Sequence, residues 1–185
     1  MTTNTTEKVI KTDRDAFEVI RDHLLEQADR STGLRGVCMY RGYKDEFIEN
    51  IYPRYQKEKK PNPVNMIDGL VKFYHWIQDN DLATPDDRAK CAVGALIKDE
   101  HYSQSYETKA VDYDSVSIAI HRSHPEWNYS NSISAFGLLR QMQEIHDHSP
   151  VDDWYEILMD ERNWVFNSDN KFVKFNHYHV DYQRG

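Results

Sequence analysis

The sequence predicts one mainly helical α+β domain with five or six helices, a short strand and a C-terminal β-hairpin. Its 185 residues fit a single hydrophobic core, and 39% hydrophobic and 12% aromatic residues are enough to fill one. Apolar residues recur every three or four positions in several segments, which is the helical period. After Asn163 aromatic and β-branched residues alternate roughly, which predicts the hairpin over residues 163–182.

The N-terminal part of the chain predicts a loose end followed by a capped helix. Residues 1–11 are expected to be flexible because they begin with small polar side chains, and residues 12–185 are expected to form the single domain. Thr12 precedes Asp13 and Asp15, so its hydroxyl can cap a helix with an acidic first turn. The buried face of this helix consists of Phe17, Ile20, Leu24 and Ala28.

The next segment predicts a short strand, an insertion and a second helix. The glycines of "STGLRG" end the first helix, and "VCMY" at 37–40 is short and partly β-branched, so Cys38 is expected on a strand or ordered loop. Residues 44–63 are expected to form a surface insertion, because their second half is polar and contains two prolines. The second helix begins near Val64, and its apolar face consists of Ile67, Leu70, Val71, Tyr74 and Ile77.

The segment that begins "ATPDDRAKCAVGALI" predicts a third helix. Thr84 stands at the N-cap position, Pro85 at the first helical position and two aspartates in the first turn. This helix would contain Cys91 and Gly94. A glycine inside a helix costs up to about 1 kcal/mol relative to alanine, a loss that is offset where another backbone packs closely. We therefore expect a close packing contact around Cys91.

Three further helices are expected. One begins at Asp114 and ends before Pro125, because the residue before a proline avoids helical angles. The next follows a cap at Ser130 or Ser132, and its buried face consists of Ile133, Phe136, Leu139, Met142 and Ile145. The last begins at the Ser-Pro pair 149–150, which is followed by two aspartates.

Composition excludes several classes of function. The chain has 31 acidic and 23 basic residues and a net charge of -8, which opposes binding to nucleic acid and favours a basic partner protein. It has no glycine-rich nucleotide loop, and no stretch approaches the roughly 20 apolar residues of a membrane helix. The start "MTTNTTEKVIKTDRD" lacks the apolar region of a signal peptide, so we expect a cytoplasmic protein with reduced cysteines.

Cys91 is a candidate nucleophile. It would need a base within hydrogen-bond reach, and the candidates are His146 together with Asp147, or His101. The alternative is a buried structural cysteine, which is the commoner situation, and no catalytic signature flanks Cys91. The same alternative applies to Cys38. We therefore expect a structural role for both thiols.

Paired histidines raise the possibility of a metal site. His177 and His179 would point to one face of a strand and are the weak candidate ligands, whereas Pro125 interrupts the helix that would align His121 with His124. A zinc site needs three or four converging ligands, and no spacing typical of one is present. We expect neither a metal nor another cofactor.

Three short motifs resemble a pattern in small uncharacterised proteins of bacteriophages and some bacteria. They are "GVCMYRG" at 36–42, "KCAVGALI" at 90–97, and "LRQMQEIHD" at 139–147 with a tryptophan soon after. The resemblance implies a compact, mostly helical unit in which a small set of residues lies together, namely Cys38, Cys91, Gly94, His146 and Asp147. It implies no activity.

These observations predict a non-enzymatic accessory protein, encoded by a phage, that binds and modulates a host or defence protein in the host cytosol. The first alternative is a small cysteine- or metal-dependent hydrolase that uses Cys91, His146 and Asp147. The second is a virion or assembly component, which would form an obligate oligomer. A hydrolase requires an accessible Cys91 thiol, whereas a binding protein leaves it buried.

Overall fold

The computed structural model describes residues 8–32, 39–59, 66–107, 109, 111–129 and 132–176. This part of the chain forms six α-helices and five short strands, which confirms the mainly helical α+β class. The helices are α1 (Asp13–Gln27), α2 (Asp45–Lys59), α3 (Met66–Asp79), α4 (Asp114–Ser123), α5 (Ile133–His148) and α6 (Trp154–Met159). The strands are β1 (Ser31–Thr32), β2 (Arg41–Lys44), β3 (Arg88–Lys90), β4 (Trp164–Phe166) and β5 (Phe172–Phe175).

Helix α1 begins as its sequence predicts. The Thr12 hydroxyl accepts a hydrogen bond from the Asp15 amide at 3.2 Å, and the Asp15 carboxylate accepts one from the Thr12 amide at 2.9 Å. This reciprocal capping box satisfies two amide groups that have no partner within the helix. The helix ends at Gln27, and the C-cap residue Ala28 adopts a left-handed conformation. Its buried residues include Ala16, Phe17, Ile20 and Leu24.

Strands β1, β2 and β3 form an antiparallel sheet in that order. Ser31 pairs with Lys44, and Gly42 pairs with Ala89. The strand expected at 37–40 therefore lies a few residues later in the chain, over β2, and Cys38 is outside the described residues. Arg41 and Gly42, which have the composition of a turn, lie within that strand because they pair with Lys90 and Ala89 of β3.

The prediction of a third helix that begins at Thr84 and contains Cys91 and Gly94 is wrong. Thr84 and Asp87 do form a capping box, but it closes only one 3₁₀ turn. The following residues pair with β2 as strand β3, and a second 3₁₀ turn follows at Gly94–Leu96. Cys91 and Gly94 therefore lie in a tight loop. The expected backbone approach is nevertheless present, because a Cβ atom on Gly94 would lie 1.9 Å from the carbonyl oxygen of Tyr40.

Helix α2 was not predicted. Its sequence lies within the segment 44–63, where charged residues are frequent and Pro53 falls inside the helix. Ile48 and Tyr55 are buried on its inner side. Most of the outer face is exposed and polar, so the helical period of apolar residues is weak in this segment.

The remaining helices and the hairpin agree with the sequence in type and order. Helix α3 covers the described part of the second predicted helix, and α4 ends before Pro125 as expected. Helix α5 is capped by Ser132, whose hydroxyl accepts a hydrogen bond from the Ala135 amide at 3.3 Å. Trp164 pairs with Phe175 in the hairpin formed by β4 and β5.

The buried side chains form two clusters. The main core contains buried residues of α1, α4, α5 and α6, of the loop at 91–97 and of the β4–β5 hairpin. The second, which we call the aromatic cluster, lies between β2, α2 and α3. Its buried members are Met39, Tyr43, Ile48, Tyr55, Phe73, Tyr74, Trp76 and Ile77.

Candidate functional site

Cys91 is enclosed by the main core. Its side chain is 0% exposed, and its neighbours Ala92 and Val93 are equally buried. The sulfur accepts a hydrogen bond from the Gly94 amide at 3.3 Å, so it stabilises the tight loop that follows β3. The thiol is therefore part of the packing of this loop.

His146 lies on α5 and is also 0% exposed. The Ser31 backbone amide donates a hydrogen bond to Nε2 at 3.1 Å, so this nitrogen carries no proton. The proton of the neutral ring is therefore on Nδ1, which donates to the Asp147 carboxylate at 2.8 Å. The ring packs against Trp154, with 5.5 Å between centroids.

Gln143 connects this pair to the Cys91 loop. Its Nε2 donates to the Asp147 carboxylate at 2.7 Å, and its Oε1 accepts from the Val93 amide at 3.4 Å. The structure thus brings the Cys91 loop next to His146 and Asp147 through a residue that the sequence analysis missed. The spacing of four between Gln143 and Asp147, which places both on one helix face, was the available signal.

Ser31 is the second residue that the sequence analysis missed. Its hydroxyl accepts from the Gly42 amide at 2.9 Å and lies 2.8 Å from the Met39 carbonyl oxygen and 3.0 Å from the Ala89 carbonyl oxygen. A single serine therefore joins all three strands of the sheet, while its amide holds His146. No sequence motif marks this role, because the partners are far apart in the chain.

Helix α1 closes the other side of the Cys91 loop. His23 Nε2 lies 3.1 Å from the Lys90 carbonyl oxygen, and Gln27 accepts a hydrogen bond from the Lys90 amide at 2.8 Å. Burial lowers the pKa of His23, and the nearby Lys90 charge acts in the same direction. The ring is therefore held neutral and donates its Nε2 proton to the carbonyl.

The arrangement argues against nucleophilic catalysis at Cys91. A catalytic histidine must offer a free nitrogen lone pair to the nucleophile, whereas His146 Nε2 is occupied by the Ser31 amide. The Cys91 thiol is also out of reach of a substrate. His101, the other candidate base, belongs to a separate 3₁₀ turn at Asp99–His101. His146, Asp147 and Gln143 form a structural hydrogen-bond network with the Ser31 and Val93 amides.

The described residues contain no group of three or more histidine, cysteine, aspartate or glutamate side chains placed to hold a metal ion. His124 Nε2 lies 2.9 Å from the Leu96 carbonyl oxygen, and His121 is exposed at the end of α4. The two candidate ligands on the last strand, His177 and His179, lie outside the described residues.

One exposed helix face combines apolar and acidic side chains. Tyr155 and Met159 lie one turn apart on α6 and are 67% and 45% exposed. Two exposed carboxylates lie nearby in the chain, Asp152 in the 3₁₀ turn that precedes α6 and Glu156 on α6 itself. We call these four residues the α6 face.

No family model matches the chain, and no curated protein or solved structure matches it either. Within the described ranges, every helix is too short or too polar to cross a membrane.

Proposed function

We propose that this chain is a non-enzymatic accessory protein, encoded by a phage, that binds and modulates a host or defence protein in the host cytosol. The observation that carries the proposal is the α6 face, on which Tyr155 and Met159 are exposed next to two carboxylates in the chain. Tyrosine and methionine are enriched at protein interfaces, where they supply apolar contact area. The occupation of His146 and Cys91 by internal hydrogen bonds supports a role without catalysis.

Charge defines the chemistry of the partner. The chain carries a net charge of -8, and Asp152 and Glu156 flank the apolar side chains of the α6 face. A partner with lysine or arginine side chains around a shallow apolar groove complements this surface. An arginine in that position can also stack on the Tyr155 ring, which adds a cation–π interaction.

The test compares two pairs of exposed apolar residues. Tyr155→Ser with Met159→Ser alters the α6 face, whereas Tyr113→Ser with Ile118→Ser removes similarly exposed residues, 57% and 49%, at α4. A host protein captured by the native chain is purified, and its affinity for the three forms is measured by calorimetry at two salt concentrations. We expect the α6 variant to bind at least about tenfold more weakly. Equal affinity of the native chain and the α6 variant would contradict the proposal.

Thiol alkylation tests the hydrolase alternative. In a Cys38→Ser background, Cys91 is the remaining thiol, and its burial predicts that native labelling is on the order of 10³-fold slower than labelling in denaturant. Fast native labelling with an apparent pKa well below the usual value of about 8.5 would favour the hydrolase.

Light scattering tests the alternative of a virion or assembly component. Such a component forms an obligate oligomer with a large apolar interface, whereas the accessory protein requires no such oligomer. A stable oligomer that persists at nanomolar concentration would favour the assembly role.

A further inference from the structure

Met159 differs from the other methionines whose side chains the structure describes. It is 45% exposed at the last residue of α6, whereas Met39 and Met142 are 4% and 0% exposed. Met39 belongs to the aromatic cluster and Met142 to the main core. The chain has five methionines, and Met1 and the side chain of Met66 lie outside the described residues. Among the described side chains, Met159 therefore presents the one thioether that is open to solvent.

An exposed thioether reacts with hydrogen peroxide to give methionine sulfoxide. A sulfur lone pair attacks one peroxide oxygen, so a sulfur–oxygen bond forms and the oxygen–oxygen bond breaks. The departing hydroxide takes the proton of the transferred oxygen and leaves as water. The sulfur loses two electrons and the peroxide gains them. Because hydrogen peroxide is uncharged, the net charge of -8 does not repel it from this surface.

The buried sulfur atoms are shielded from peroxide by the main core. Cys91 is 0% exposed, and its sulfur accepts a hydrogen bond from the Gly94 amide at 3.3 Å. Met142 is enclosed to the same extent. A peroxide molecule reaches either sulfur only when the core opens. Of the sulfur atoms that the structure describes, we therefore expect Met159 to react first.

Oxidation at Met159 changes the surface of α6 and leaves its buried side intact. Trp154 and Leu158, which α6 contributes to the main core, are each 1% exposed. Trp154 Nε1 also donates a hydrogen bond to the Ser149 carbonyl oxygen at 3.3 Å. A sulfoxide oxygen at an exposed side chain is hydrated, whereas the same group at Met142 would be buried without water. The fold is therefore expected to tolerate the modification at α6.

The modification alters the apolar part of the α6 face. Tyr155 lies one turn before Met159, and the two side chains supply the apolar contact area of this face. A sulfoxide adds a polar group that a partner must desolvate when it covers the face.

We propose that Met159 is a site of reversible oxidation, at which peroxide makes the α6 face polar and a thiol-dependent reductase restores the thioether. In the reverse reaction two thiols supply two electrons and two protons, the oxygen leaves as water and the thiols form a disulfide. The regulatory consequence rests on the proposed function, because the oxidised form binds the partner of the α6 face more weakly. The oxidation itself does not depend on a partner.

The first test treats the full chain with hydrogen peroxide and follows each methionine by peptide mass spectrometry. We expect Met159 to be oxidised at least about tenfold faster than Met39 and Met142 in the native chain, and at a similar rate in denaturant. Equal native rates for Met159 and Met142 would overturn the proposal. Methionine sulfoxide reductases with dithiothreitol are expected to restore the thioether, and a sulfoxide that they leave unreduced would overturn reversibility.

The second test measures the affinity of the host protein purified for the α6 comparison, before and after peroxide treatment. Oxidised native chain and Met159→Gln, which carries a polar side chain from the start, are expected to bind about fivefold more weakly than untreated native chain. Met159→Leu keeps an apolar side chain of similar size and is expected to stay within about twofold of native affinity, with and without peroxide. Thermal unfolding verifies that each form is folded.

These measurements separate the failure of each proposal. Unchanged affinity of the oxidised native chain, while the α6 variant binds weakly, would overturn the regulation and leave the proposed function standing. Equal affinity of the native chain and the α6 variant would contradict the proposed function, and the peptide rates would still decide the oxidation site.

A matched control moves the exposed thioether to another helix. Ile118 is 49% exposed on α4, so Ile118→Met combined with Met159→Leu places a methionine of similar exposure away from the α6 face. After peroxide treatment, this chain is expected to keep its affinity for the host protein within about twofold. A loss as large as that of the oxidised native chain would show that oxidation acts without regard to position and would overturn the proposal.

Discussion

The main core and the aromatic cluster are fixed in different ways. The described chain has five buried polar residues, Asp13, Ser31, Ser123, His146 and Asn163, and none is a member of the aromatic cluster. In the main core, hydrogen bonds to such groups determine which elements meet, since a buried polar group without a partner is costly. In the aromatic cluster, contacts between rings determine which elements meet.

Asp13 illustrates the first mode. It is 3% exposed at the start of α1, and its two oxygens accept hydrogen bonds from Trp127 Nε1 at 3.0 Å and from the Phe172 amide at 2.9 Å. One carboxylate thus joins α1 to the segment after α4 and to strand β5. The geometry is specific, because both donors must reach the same side chain.

Phe73 illustrates the second mode. Its ring centroid lies 5.0 Å from that of Tyr55 and 5.4 Å from that of Tyr52, and it is 0% exposed. Tyr55 in turn lies 5.2 Å from Trp76. These contacts join α2 to α3 through dispersion and ring electrostatics, so a change in the shape of one ring affects its neighbours first.

The largest expected effect is that of Gly94→Ala, because the added methyl group does not fit where the backbone of Gly94 packs against the backbone of Tyr40. The added Cβ would lie 1.9 Å from the Tyr40 carbonyl oxygen, so two backbones must separate. We expect a loss of about 3 kcal/mol or more in the free energy of unfolding, measured by urea denaturation. The matched control is Gly137→Ala on α5, where the Cβ would lie 3.6 Å from the Phe172 ring and fits. Helix propensity predicts a gain of up to about 1 kcal/mol for it. A similar cost for both changes would contradict the contact.

The second effect tests directly whether hydrogen bonds to a buried polar group stabilise the main core. Asp13→Asn keeps the size of the side chain but replaces one acceptor by an NH₂ group, which faces either the Trp127 or the Phe172 N–H donor. We expect a loss of about 2 kcal/mol, because a buried donor is left without an acceptor. Asp22→Asn, at a carboxylate with 66% exposure on the same helix, is expected to change stability by less than about 0.5 kcal/mol. Equal effects in the two denaturation curves would exclude a special role for Asp13.

The third effect tests whether ring contacts stabilise the aromatic cluster. Phe73→Leu preserves apolar character but removes the ring, and we expect a loss of about 1 to 2 kcal/mol. Hydrogen exchange gives the sharper readout, because protection is expected to fall in α2 and α3 while α1 and α5 keep theirs. If exchange rises equally in all four helices, the two clusters unfold as one unit and the comparison fails.

The smallest effect concerns pH. Burial lowers the pKa of His23, so the folded protein keeps the ring neutral at a pH where the unfolded chain binds a proton. This contribution to stability is present above the unfolded pKa of about 6.5 and is lost as the pH falls from there toward the lower pKa of the folded state. We expect His23→Gln to flatten the dependence of the unfolding free energy on pH below 6.5, by at most about 1.4 kcal/mol per pH unit. His148→Gln, at a ring with 74% exposure, is the matched substitution with which the His23 result is compared.

Local sequence signals predicted the helices that carry their own start signals. Thr12 with Asp15 and Ser132 before α5 supply caps from neighbouring residues, and the buried residues of both helices follow the helical period. Two residues expected on the buried faces are wrong, because Ala28 is exposed beyond the end of α1 and Ile133 is 93% exposed in the first turn of α5. The same reasoning failed at Thr84, although its capping box is present. There the chain satisfies its backbone by pairing with β2, a partner more than 40 residues earlier.

In the candidate site too, local sequence signals identified some residues and missed the partners that are distant in the chain. His146 and Asp147 were found because they are adjacent and carry recognisable chemistry, but their meaning depends on Ser31 and Gln143. The Ser31 amide occupies the nitrogen that a catalytic base would use, and this contact joins residues that are 115 positions apart. Spacing within one segment carries no information on such a partner.

By itself, the sequence determined the fold class, the first helix and α5, the terminal hairpin and the acidic surface, because these follow from composition and from neighbours within a few residues. Only the tertiary structure decided that Cys91 and Gly94 lie in a loop, that α2 forms, and that the Ser31 amide binds His146. The physical reason is that strand pairing, backbone approach and buried hydrogen bonds depend on residues distant in the chain, whose interactions outweigh local preferences of about 1 kcal/mol.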